Sequence, residues 1–199
     1  MSKRADSTKF IRRQKRGYLP HYDSCELVQF VTFRLHDSLP VDILKTLGHR
    51  FRSKLISEIE YHRAIQKALD LGRGVVHLKD PRIAHLVSEA ILKFDGERFE
   101  LLAWVLMPNH VHILLRTCKG YALKDVIHSI KSFTASEANR LLERKGRFWS
   151  PDYFDRFIRD RTHYTRTIEY IENNPVAAGL CSRPEEWPWG SAGWQDSVA

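Results

Sequence analysis

Cysteine is scarce. The 199 residues hold three, Cys25, Cys118 and Cys181, widely separated and with no Cys-x-x-Cys pair. Such a count excludes a disulfide framework or a thiolate zinc site as the organising feature. No apolar run nears the roughly 20 residues that a membrane-spanning helix needs. The opening stretch "MSKRADSTKFIRRQKRG" is basic with no apolar segment behind it, unlike a secretory signal. Together these absences predict a cytoplasmic protein with no membrane partner. Acidic residues are the minority, 24 Asp and Glu against 32 Lys and Arg, a formal charge of +8. That surplus points to a polyanionic partner, most often nucleic acid.

What remains is enough for one packed domain. Residues 1–20 form a basic arm with Arg12, Arg13, Lys15 and Arg16, a composition suited to phosphate contact. "LVQFVTFRL" (27–35) has strand composition, and 41–53 has helical spacing. Residues about 54–80 form a helical insertion that stops at Gly72 and Gly74. Another helix spans 81–93, with Pro81 in its first turn. "RFELLAWVLM" (98–107) and "HVHILLRT" (110–117), joined by Pro108-Asn109, predict a β-hairpin. A long amphipathic helix from Leu123 to about Arg144, a strand at 153–158 and a helix at 161–174, ended by Pro175, complete the domain at about residue 180. Residues 181–199 are a tryptophan-rich tail. The order predicts an α+β, ferredoxin-like fold: an antiparallel sheet with helices mainly on one face.

Two histidines interrupt the apolar stretch "WVLMPNHVHILL" (104–115). Strand periodicity puts His110 and His112 on one face and sends Val111 and Ile113 to the other. Paired imidazoles on one face make half of a metal site. A third histidine two residues on would suggest a histidine-triad nucleotide hydrolase, but Leu114 stands there. In "RTHYTRTIEYIENNP", His163, Thr167, Tyr170 and Asn174 recur at spacings of four, three and four, sharing a helix face beside the core stripe of Tyr164, Ile168 and Ile171. A tyrosine so placed is often an amphipathic packing residue. It can also be a nucleophile if a base or cation activates it.

"WVLMPNHVHILL", "GRFWSPDYFDRFIRD" and "YTRTIEYIENNPVAAGL", in that order, resemble the REP-associated tyrosine transposases. These are relatives of the single-tyrosine insertion-sequence transposases in the HUH endonuclease superfamily. The resemblance covers about 21–191, less clearly within 54–80. It implies that His110 and His112 are metal ligands, that Tyr170 is the nucleophile and that Asn174 is the third ligand, where insertion-sequence relatives tend to use glutamine. The implied substrate is single-stranded DNA beside a repetitive extragenic palindrome folded into a hairpin. The implied reaction is cleavage and strand transfer through a 5′-phosphotyrosine link. The expected cofactor is Mg²⁺, or Mn²⁺.

Further DNA contacts are expected from Lys131 on the long helix and from Arg156 and Arg159 flanking the last strand. Trp187, Trp189 and Trp194 could stack unpaired bases or form a small satellite core. Two other readings stay open: a mobile insertion-sequence transposase of the same chemistry, and a non-catalytic nucleic-acid-binding module on the same sheet. The last gains weight if the histidines face away from Tyr170. Monomer and homodimer are both compatible with the sequence.

Overall fold

Three hydrophobic strands, buried along most of their length because both faces are covered, build the sheet around which everything else packs. The computed structural model describes residues 12–16, 19–23, 27–72 and 74–193, with side chains from residue 27 onward. In chain order the elements are β1 (Arg12–Arg16), β2 (Leu19–Asp23), β3 (Val28–Arg34), α1 (Val41–Arg52), α2 (Glu58–Asp70), α3 (Pro81–Leu92), β4 (Phe99–Leu106), β5 (His110–Thr117), α4 (Leu123–Leu141), β6 (Phe154–Phe157) and α5 (Arg161–Ala177). β1 and β2 pair antiparallel, so the basic arm carries a hairpin. The main sheet has the order β4-β5-β3-β6, all antiparallel. With α3 and α4 as crossovers, this is the ferredoxin-like order expected from the sequence.

The two faces of the sheet bury different sets. Val31, Phe33, Val111, Ile113, Leu115, Trp104 and Leu106 pack with α3 and α4 in the larger core. Ala103, Val105, Met107 and Leu114 face the other way and pack with Ile168 and Ile171 of α5. The sequence order predicts helices mainly on one face; α3 and α4 share one face, while α5, with α2 beside it, covers the second. The 161–174 helix continues through Pro175 to Ala177. Proline in the final turn costs that turn one backbone bond, and Pro175 is buried, so packing offsets the loss. Gly179, at φ 69°, then ends the run.

Helix α2 is set firmly at both ends. Ser57 and Glu60 form a capping box at its start. Beyond its C-terminus Gly74 adopts φ 108°, and a Cβ there would lie 2.7 Å from the Asp37 and Ser38 backbone. Only glycine lets the chain leave α2 so close to the β3–α1 loop. Val75 N–H then donates to the Asp37 carbonyl at 3.0 Å. No helix among the described residues is long and apolar enough to cross a membrane.

Candidate metal and nucleophile site

The hairpin turn places the first histidine. Met107 N–H donates to the His110 carbonyl at 2.9 Å, closing a tight turn over Pro108 and Asn109. β5 then runs beside β3 with His112 opposite Thr32 and His110 opposite Arg34. Both imidazoles are wholly buried, on the α5 side of the sheet. Burial lowers the His110 pKa to about 3 and holds His112 well below its usual value, with the His110 charge opposing it further. Both rings are therefore neutral near pH 7, the form that binds metals.

The His110 tautomer follows from its neighbours. The Asn109 side chain donates from Nδ2 to the Leu69 carbonyl at 3.1 Å. Its NH₂ must point there, since a carbonyl can only accept, which leaves Oδ1 for His110 Nδ1 at 2.6 Å. His110 Nδ1 therefore carries the proton and Nε2 keeps its lone pair. Thr32 Oγ1 lies 2.8 Å from His112 Nδ1 and orients the second ring. The two Nε2 atoms converge to 3.0 Å.

Other helices bring further groups. The Tyr170 hydroxyl of α5 lies 3.5 Å from His112 Nε2. Its ring meets Phe30 edge-on at 6.0 Å and His112 at 5.4 Å between centroids. Burial raises the Tyr170 pKa well above its usual value, and the negative charge of Asp70 adds to this, while a hydrogen bond from Asn174 opposes both. Unaided, the phenol stays protonated. Asn174, one turn further on, is 4% exposed, and its Oδ1 has no hydrogen-bond partner among the described residues. An orphaned amide oxygen costs about 1–3 kcal/mol. An acceptor left in that state suits a ligand role.

From α2 come two residues that the sequence did not single out. Asp70 Oδ1 lies 3.7 Å from His110 Nε2, and Gln66 Nε2 lies 3.2 Å and 3.1 Å from the two imidazole Nε2 atoms. Asp70, His110 and His112 form a group able to hold a metal ion, each ligand atom within 4.8 Å of the others. "HRAIQKALD" shows these two residues one helical turn apart, but nothing local to it says that this face meets a strand forty residues on.

The remaining candidates divide. Arg156 is exposed, and Arg159 and Arg63 lie close enough to lower its pKa further than desolvation alone does, so three guanidinium groups cluster there. Lys131 is not free for a phosphate: its ammonium donates to the Ser150 and Pro151 carbonyls at 2.8 and 2.9 Å. Trp187 donates its indole N–H to the Leu106 carbonyl at 2.9 Å, and Trp189 packs against the larger core while its carbonyl accepts from Leu106 N–H at 2.8 Å. Both tryptophans are half-buried and anchor the tail to β4. Trp194 and the side chains of Arg12, Arg13, Lys15 and Arg16 lie outside the described residues.

Known proteins resemble this chain in sequence and in fold. Residues 77–174 match the family described as transposase, IS200-like. A REP-associated tyrosine transposase from Escherichia coli is 27% identical over 107 residues, covering 53% of this chain and 62% of that protein. A Haemophilus influenzae protein given the same name provisionally is 26% identical over 104 residues, covering 47% of this chain and 58% of its own. The chain therefore spans about three fifths of the length of these relatives. A solved REP-associated tyrosine transposase bound to a REP hairpin shares the fold, with a TM-score of 0.60 and 19% identity over 94% of this chain and 87% of that one. In motifs, in fold and in these relatives, the chain is similar to the REP-associated tyrosine transposases.

Proposed function

We propose that the protein is a metal-dependent single-stranded DNA endonuclease and strand transferase acting at palindromic repeats folded into hairpins. The observation that carries this reading is the convergence of the Tyr170 hydroxyl on the histidine pair, 3.5 Å from His112 Nε2. A non-catalytic module would need no such approach. His110, His112 and Asn174 would hold Mg²⁺ or Mn²⁺, which when bound polarises phosphate oxygens and favours the ionised phenol. The names of the E. coli relative and of the hairpin-bound neighbour support a REP-type hairpin as substrate.

In this reaction Tyr170 Oη attacks the phosphorus of a phosphodiester. The bond from phosphorus to the 3′ oxygen breaks, and that oxygen takes up the proton given up by the phenol. A 5′-phosphotyrosine link and a free 3′-hydroxyl result. Attack by a DNA 3′-hydroxyl on the link rejoins the strand and restores the tyrosine. The protein contributes position and charge, which carry most of the rate in phosphoryl transfer. The Phe30 and His112 rings hold the phenol on its edge, and Arg63, Arg156 and Arg159 supply cations for a DNA backbone.

Incubation with hairpin-bearing single-stranded DNA and Mn²⁺, followed by denaturing electrophoresis, tests the reading. A covalent adduct is expected from the parent chain and none from Tyr170→Phe, with hairpin affinity unchanged within about twofold, since backbone contacts dominate binding. An adduct that persists in Tyr170→Phe would show that another residue is the nucleophile.

A further inference from the structure

We propose that Asp70 is a ligand of the divalent cation held by His110 and His112, so that helix α2, outside the matched family segment of residues 77–174, belongs to the metal centre. The inference rests on the functional reading above and deepens it.

Charge is the first argument. Imidazole binds metals in its neutral form, and Asn174 offers a neutral amide. A dication held by these three alone would meet no formal negative charge. Mg²⁺ and Mn²⁺ favour oxygen donors and are commonly held by carboxylates. Among the described residues, the carboxylate that converges on the histidine pair is that of Asp70.

Spacing is the second. Around an octahedral cation with bonds of about 2.1 Å, adjacent donors sit about 3 Å apart and opposite donors about 4.2 Å. The Nε2 atoms are 3.0 Å apart, and Asp70 Oδ1 is 3.7 Å from the nearer one. Those separations fall within the range that a single cation spans.

What stands among these atoms is the third. Gln66 Nε2 donates to Asp70 Oδ1 at 2.8 Å and also lies 3.2 and 3.1 Å from the imidazole Nε2 atoms. Its amide hydrogens bring positive charge to a point faced by electron-rich atoms of the carboxylate and the His110 ring. A cation answers the same electrostatic need more fully.

Placement is the fourth. Asn109 joins the two halves of the site, accepting from His110 through Oδ1 and donating to Leu69, next to Asp70, through Nδ2. One side chain thus orients the imidazole and anchors the end of α2 that presents Asp70.

Mn²⁺ binding to the full chain without DNA tests the assignment, read as the loss of the free-Mn²⁺ electron paramagnetic resonance signal. The parent chain is expected to bind. His112→Ala should abolish binding, and Asp70→Asn should raise Kd at least tenfold. Glu100→Gln, which removes an exposed carboxylate paired with Arg116, should leave Kd unchanged. A parent-like Kd in folded Asp70→Asn, or no binding by the parent, would overturn the proposal. If Asp70→Asn does not fold, Asp70→Glu and Asp70→Ser decide: Glu retaining affinity while Ser loses it supports a ligand, and equal affinities overturn it. Because DNA is absent, normal Mn²⁺ binding without any covalent adduct in the hairpin assay would sink the strand-transfer reading and leave the Asp70 assignment standing.

Discussion

His62 shows how a single side chain ties stability to pH. It lies on α2 with its ring 4.1 Å from that of Phe154, and its Nε2 has no hydrogen-bond partner among the described residues. Burial lowers its pKa from 6.5 to about 4. Between those values the unfolded chain binds the proton and the folded chain does not, so stability is complete above about pH 6.5 and falls as the pH drops toward 4. The loss attributable to this residue is roughly 3 kcal/mol. His110 and His112, also depressed, act in the same direction. Urea titrations at pH 7 and pH 4.5 should show a smaller acid loss in His62→Leu than in the parent. Equal losses would mean that the burial of His62 does not govern this region of the pH profile.

At the scale of elements, α5 carries Tyr170 and Asn174 and starts at an N-cap that can be tested. Asp160 accepts from His163 N–H at 2.8 Å, so Asp160→Ala should cost about 1 kcal/mol, seen as a lower urea midpoint. An unchanged midpoint would show that the cap is dispensable. How far the elements could be read beforehand depended on periodicity. The alternation along "HVHILL" was enough to separate His110 and His112 from Val111 and Ile113, and the four-three-four spacing put Tyr170 and Asn174 on one face of α5. What could not be read was contact between distant segments. Residues 58–70 announced a helix but not that Gln66 and Asp70 would meet β5. Pro175 suggested a stop, yet its burial against neighbouring structure let α5 run on to Ala177. Lys131 looked like a phosphate contact because its spacing on α4 could not reveal the Ser150 and Pro151 carbonyls around its ammonium. The tryptophans of the tail were equally ambiguous, since stacking platforms and packing residues have the same composition.

Across the whole molecule, the site draws on β3, β5, α2 and α5, and so exists only once the sheet and both of its faces are assembled. The tail completes that assembly. Leu106 N–H donates to Trp189, Ser191 N–H donates to Trp104, and Gly190 bridges to Val105, all along the outer side of β4. β4 ends the sheet on that side, while β6, at the other end, has only four residues. A long strand with unsatisfied backbone groups is a template for pairing with other chains, and proteins commonly cover or shorten such strands. Segment 187–191 covers part of this edge, from Trp104 to Leu106. Truncation after Glu186 should lower the melting temperature and, in light scattering, produce concentration-dependent association that the parent lacks. A truncated chain that stays monodisperse at high concentration would show that β4 is protected by other means.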